Sequence, residues 1–211
     1  MTGRERAALL VIDLQHDFCT GPVVAARFGG DTAKLDAVTA NAARAVDVAR
    51  AHGVEVVFVR FLGDLEHQGP SWRRRDQALG KQPKCLDGSR GAEFHRVSPA
   101  PGERVFTKRA CFDAFLSDGF AGYLDHRGFD RLVFAGVYAD VCVDSTARTA
   151  FQKGFHITVL ADCTTSLHGS DEEVLRFMGA LYGARVTTLA EEENAWSTSS
   201  QERPEWNAAS A

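Results

Sequence analysis

The sequence predicts an α/β fold, a three-layer α/β/α sandwich built on a parallel sheet. Three observations predict it. Short apolar segments recur along the 211 residues. Stretches of helical period separate them. The segments are apolar at successive positions rather than at alternate ones, the pattern of strands covered by helices on both faces. Right-handed crossovers then wind such a chain into a doubly wound sandwich.

The elements follow in order. Residues 7–12 form a buried strand that ends at Asp13. Residues 14–31 have no period and contain Gly21-Pro22 and Gly29-Gly30, so they read as a loop. From Thr32, apolar residues recur at Leu35, Val38, Ala42, Ala45, Val46 and Ala49, which is helical spacing. His52-Gly53 stops that helix. Residues 54–61 are the second strand. Residues 62–102 are long and weakly patterned, with Gly69-Pro70, Pro83, Pro99 and Pro101. Trp72 and the turn Gly91-Ala92-Glu93-Phe94 argue for partial order there. Arg73-Arg74-Arg75, the only basic run, reads as a solvated loop. Residues 104–107 are the third strand, 120–126 a helix and 131–136 the fourth strand. Residues 141–153 are a helix closed by Gly154, followed by a fifth strand at 155–161. A helix at 171–182 is closed by Gly183, and residues 185–189 are the sixth strand. The expected organisation is one domain over 1–196 and a polar C-terminal tail over 197–211, either disordered or packed on a partner subunit.

Composition narrows the function. Hydrophobic residues make up 45% and charged residues 25%, ordinary for a globular domain of this size. The net charge of −4 gives no electrostatic reason to expect a nucleic-acid partner. No apolar run approaches the roughly 20 residues of a membrane span, and the N-terminus lacks a secretory pattern. A cytoplasmic protein acting on a small molecule is expected. The five cysteines, Cys19, Cys85, Cys111, Cys142 and Cys163, are odd in number and include no Cys-x-x-Cys pair. A disulfide framework or zinc knuckle is not expected.

Three strand ends carry chemistry. Cys142 stands where a strand meets a helix, and the positive end of a helix favours a thiolate. Val11-Ile12-Asp13 places a carboxylate, and Val105-Phe106-Thr107-Lys108 an ammonium, at equivalent ends. An acid, an amine and a thiol in these places point to nucleophilic hydrolysis. The bland alternatives are a loop cap for Asp13, a surface lysine for Lys108 and an inert core thiol for Cys142. Gln15 and Asp17 read as structural hydrogen-bonders, and His16, His95 and His168 as ordinary polar contacts.

The motif Val11-Ile12-Asp13-Leu14-Gln15-His16-Asp17-Phe18 resembles the opening motif of the isochorismatase-like cysteine hydrolases. Gly136-Val137-Tyr138-Ala139-Asp140-Val141-Cys142-Val143 resembles their nucleophile motif, and Lys108 with Phe112-Asp113-Ala114-Phe115 their lysine segment. The resemblance covers roughly residues 7–190. It implies a six-stranded parallel sheet ordered 3-2-1-4-5-6 and a homo-oligomer, a dimer or tetramer. It implies a catalytic triad of Asp13, Lys108 and Cys142. It also implies a non-proline cis peptide between Val137 and Tyr138, and an oxyanion hole from the backbone N–H groups of Tyr138 and Cys142. No cofactor is expected.

Nicotinamidases of the family carry an Asp-x-His metal motif after the second strand. Here that region reads Arg60-Phe61-Leu62-Gly63-Asp64-Leu65-Glu66-His67, so no metal is expected. The stretch Cys142-Val143-Asp144-Ser145-Thr146-Ala147-Arg148 looks more like ureidoacrylate and related carbamoyl amidohydrolases. Phe18, Trp72 and Tyr138 are the expected substrate-binding side chains. Tyr138, in place of a smaller residue, and Cys111-Phe112 reshape the pocket relative to the family pattern. The expected activity is cysteine-dependent cleavage of a C–N bond in a small amide or ureido compound. The rivals are vinyl-ether hydrolysis of the isochorismate type, which does not need a cysteine, and a catalytically silent binding protein on the same fold.

Overall fold

The computed structural model describes residues 5–201. Six strands form the sheet: β1 (Ala7–Ile12), β2 (Glu55–Leu62), β3 (Arg104–Arg109), β4 (Arg131–Val137), β5 (His156–Thr165) and β6 (Arg185–Thr187). Their order is β3-β2-β1-β4-β5-β6, and every neighbouring pair is parallel. The predicted fold class and strand order are both observed.

The period of two along β1 assigns its side chains to two cores. Leu9 and Val11 pack on one face with Phe58 of β2, Val133 of β4, and Leu35, Ala42, Val46 and Ala49 of helix α3 (Ala33–Ala51). Ala8, Leu10 and Ile12 pack on the other face. They meet α5 (Phe120–Arg127), α6 (Asp144–Gln152) and α7 (Asp171–Tyr182) through Phe120, Leu124, Ala147, Ala150 and Met178. β1 therefore shows no alternation, because both of its faces are dry.

Several segments are more ordered than the sequence pattern shows. The expected loop at 14–31 holds α1 (His16–Cys19) and α2 (Pro22–Arg27), the latter opened by proline in its first turn. The long segment after β2 holds α4 (Pro70–Ala78), again opened by proline. The basic run is thus helical rather than looped. Helix α4 has no apolar period and is held by Trp72, whose ring stacks on Phe61 and meets Phe112. Strand β5 runs to Thr165, past the predicted end at residue 161. β6 stops at Thr187, and Leu189 opens a final helix, α8 (Leu189–Gln201). That helix crosses the predicted domain end at residue 196. The rest of the predicted tail, 202–211, lies outside the described residues. Trp196 and Leu189 seat α8 beside α3 on the sheet. The buried Glu192 pairs with Arg131 of β4 and Arg185 of β6.

The sheet positions the site. The chain runs from β1 outward through β2 to β3, then crosses back to β4 on the other side of β1 and continues outward to β6, so the winding reverses between β1 and β4. Ligands of doubly wound sheets collect beyond the carboxyl ends of the strands at such a reversal. Asp13 follows β1 there, and Tyr138 follows β4 there. Lys108 lies near the end of β3, level with Phe61 of β2.

Candidate active site

The β1 and β4 ends approach closely because of one glycine. Gly136 pairs with Ile12 and has φ +122°. A Cβ there would stand 2.0 Å from the Ile12 carbonyl oxygen, so no larger residue fits this register. The next peptide bond, Val137–Tyr138, is cis. The chain then makes a π-helical turn, Ala139–Val143, before α6 begins. The Tyr138 carbonyl accepts bonds from Val141 N–H (3.0 Å) and Val143 N–H (3.2 Å). This wide turn, rather than a regular helix from residue 141, carries Cys142. Asp140 fastens it across the sheet, accepting N–H bonds from Leu167, His168 and Gly169 after β5.

Asp13 turns out of β1 with φ 50°, a left-handed conformation that aspartate tolerates better than most residues. Its N–H donates to the Val59 carbonyl at 3.0 Å. Gln15 holds the same turn. Its amide donates to the Phe61 and Ala92 carbonyls (2.9 Å each) and accepts from Phe61 N–H (2.7 Å), so it is the structural residue the sequence suggests. Asp17 likewise accepts from Cys85 N–H at 2.6 Å.

Lys108 and Asp13 form a fully buried ion pair. Lys108 Nζ donates to Asp13 Oδ2 at 2.6 Å and to the Phe112 carbonyl at 2.9 Å, and neither side chain has any exposure. The Phe112 carbonyl is itself held in place. Asp113 accepts from Phe115 N–H and from the Thr149 hydroxyl, and Ala114 N–H donates to Thr146 Oγ1. Thr146 and Thr149 belong to α6, the helix that follows Cys142. The lysine segment and the cysteine turn are thereby tied to one another.

Cys142 couples to both charges. Lys108 takes Asp13 Oδ2 and leaves Oδ1 without a hydrogen-bond partner, and the Cys142 thiol acts on the same carboxylate. Burial pushes the thiol above its ordinary range, with Lys108 pulling it back and Asp13 adding to the rise. Burial also raises the Asp13 carboxyl, opposed by Lys108 and then by Cys142. For Lys108, burial works downward but the two acidic neighbours outweigh it, so the ammonium is held charged. The arrangement sets a thiol and a carboxyl, both raised by burial, beside an ammonium held charged.

These groups meet at a cavity of about 390 Å³ lined by Asp13 and Cys142. That size suits a small molecule. Lys108 sits behind the lining rather than in it. Phe18, Phe61, Trp72 and Phe112 form an aromatic wall, with Phe18 edge-on to Phe61 at 5.6 Å and Trp72 at 4.8 Å from Phe112. The predicted binding residues Phe18, Trp72 and Tyr138 all line the cavity. The Tyr138 hydroxyl is committed to the Phe18 carbonyl, so this side chain braces the wall instead of offering a free hydroxyl. Phe61 is a wall residue the sequence left unnoticed among strand residues. His168 lines the cavity as well, whereas the rings of His16 and His95 meet each other edge-on at 5.1 Å. Among the described residues, no group of three or more His, Cys, Asp or Glu side chains could hold a metal ion, and no helix is long and apolar enough to cross a membrane.

The Isochorismatase domain matches residues 7–191, and the chain belongs to the isochorismatase family of hydrolases. The ureidoacrylate amidohydrolase RutB of Pseudomonas syringae pv. syringae (strain B728a) is 31% identical over 171 residues, covering 74% of this chain and 69% of that protein. An isochorismatase family protein from Desulfovibrio vulgaris superposes with a TM-score of 0.75 at 26% identity, covering 92% of this chain and 100% of that one. The N-carbamoylsarcosine amidase from Thermoplasma acidophilum shares the fold, with a TM-score of 0.72 at 23% identity over 87% of this chain and 96% of that one.

Proposed function

We propose that the protein hydrolyses a C–N bond in a small amide or carbamoyl (ureido) compound, with Cys142 as nucleophile. The observation that carries this reading is the fully buried Asp13–Lys108 ion pair at a cavity that both Asp13 and Cys142 line. The names of similar proteins, ureidoacrylate amidohydrolase and N-carbamoylsarcosine amidase, support a substrate of that class.

The thiol is the resting form, so attack requires a base at the moment of reaction. Asp13, made more basic by burial, takes the thiol proton as sulfur bonds to the carbonyl carbon. The N–H groups of Tyr138 and Cys142 receive the developing oxyanion, and such a donor is worth about 3–4 kcal/mol in comparable enzymes. The C–N bond then breaks and Asp13 returns the proton to the leaving nitrogen. Water attacks the thioester or thiocarbamate, Asp13 takes its proton, and the thiol is restored. Lys108 holds Asp13 ionised before each proton is taken and again after it is given up.

Ammonia release from ureido acids, carbamoyl amino acids, nicotinamide and simple amides identifies the substrate. On the substrate so found, Cys142→Ala abolishes turnover while the far-ultraviolet circular dichroism stays native. Undiminished turnover in Cys142→Ala contradicts the proposal.

A further inference from the structure

The cavity carries more positive charge than its own carboxylates neutralise. Arg27, Arg75, Lys81 and Lys84 line it alongside Asp13, Asp76 and Asp140. Each carboxylate is already engaged: Asp13 by Lys108, Asp76 by Arg75, and Asp140 by N–H groups after β5. Arg75 is spent twice, since its guanidinium also stacks over Trp72 at 4.1 Å. Among the described residues, the side chains of Arg27, Lys81 and Lys84 have no ion pair.

Lys84 differs from the other two because it is half-buried and built in. Its Nζ stands 5.8 Å from the centre of the Phe18 ring, on the aromatic wall. The backbone around it is pinned from two sides. Cys85 N–H donates to Asp17 Oδ2 at 2.6 Å, and a Cβ on Gly63 would lie 2.5 Å from the Lys84 carbonyl oxygen. That contact demands glycine at residue 63 and sets Lys84 against the end of β2. Burial and the neighbouring Arg27 both disfavour its charge, and Asp17 offsets them only in part. A partly desolvated ammonium that makes no ion pair and is only partly compensated by Asp17 is the setting in which an incoming anion gains most.

We propose that Lys84, supported by Arg27, is the specificity-determining residue for a carboxylate on the substrate, which the enzyme thereby selects over neutral amides of the same shape. This inference rests on the reading of the cavity as the active site and adds the charge class of its substrate. The reacting carbonyl lies at Cys142, the aromatic wall flanks the middle of the molecule, and the carboxylate faces Lys84.

The test uses the full chain and needs no known substrate. Alkylation of Cys142 by iodoacetamide is followed by peptide mass spectrometry while 3-ureidopropionate or its neutral carboxamide is titrated in as a protectant. In the wild type the acid is expected to protect at a concentration at least about tenfold lower than the amide does. Lys84→Met brings the ratio to near one and Lys84→Arg keeps most of it, with protection by the amide as the control for an intact cavity. An acid that protects no better than the amide in the wild type overturns the proposal, as does a ratio that survives in Lys84→Met. Failure of Cys142 to react ahead of the other thiols, with no protectant present, overturns the active-site reading itself and this inference with it.

Discussion

Asp13 and Lys108 set the behaviour of the site at the scale of single residues. Because burial raises the Asp13 carboxyl, this group is protonated, and useless as a base, at a higher pH than an ordinary aspartate near 3.9. Under the proposed mechanism, activity is therefore present above the raised value and lost as pH falls through it. The acid limb of the kcat/KM profile should lie above the usual carboxylate range, and it should disappear along with most of the activity in Asp13→Asn. The pair also has a stability signature. Lys108→Met leaves a buried carboxylate unpaired, which costs about 3–5 kcal/mol. Asp13→Asn combined with Lys108→Met removes both charges and should regain most of that loss, while remaining inactive. Denaturant unfolding of the wild type, the single and the double variants checks this. A double variant no more stable than Lys108→Met contradicts it.

Strand ends and turns bring those residues together at the scale of elements. The positions of the proposed triad were legible because Asp13, Lys108 and Cys142 each sit in a short motif beside a strand, where local pattern and chemistry coincide. The cavity wall was only partly legible. Phe61 reads as one more apolar residue of β2, and the approach of α4 to β2 depends on Trp72 meeting Phe61 and Phe112, which no local period encodes. The wide turn at Ala139–Val143 was hidden too, since its bonds use the same apolar and polar residues that a regular helix would. Gly136 is the element-scale test. Gly136→Ala forces a Cβ onto the Ile12 carbonyl at a positive φ, so a loss of at least about 3 kcal/mol is expected, read from thermal or denaturant unfolding. Native stability in that variant contradicts the register described for β1 and β4.

At the scale of the whole molecule, the last helix among the described residues, α8, covers the sheet beside α3. The six strands and the two core faces follow from strand and helix patterns that are plain in the chain, whereas the strand order came from the family resemblance. Helix α8 was not legible because its polar positions dominate, and a glutamate at residue 192 gives no hint of burial. Tertiary partners decide it: Glu192 meets Arg131 and Arg185, and Trp196 enters the core beside α3. Trp196→Ala should cost about 3–5 kcal/mol, although the residue lies away from the cavity. Its stability and its kcat/KM on the identified substrate separate the two effects. A large fall in stability with near-wild-type kcat/KM below the unfolding transition is the expected outcome.

The central claim is that Cys142 is an activated nucleophile and not a buried spectator. Peptide-resolved alkylation by iodoacetamide tests it most directly, because accessibility and activation predict opposite orders. Cys111 is half-exposed, whereas Cys19, Cys85, Cys142 and Cys163 are buried. If exposure alone ruled, Cys111 would react first. Base-assisted attack, in which Asp13 takes the thiol proton as sulfur bonds to the reagent, predicts that Cys142 reacts first although burial raises its thiol, and that this lead is lost in Asp13→Asn. Modification of Cys111 ahead of Cys142 in the wild type would contradict the account.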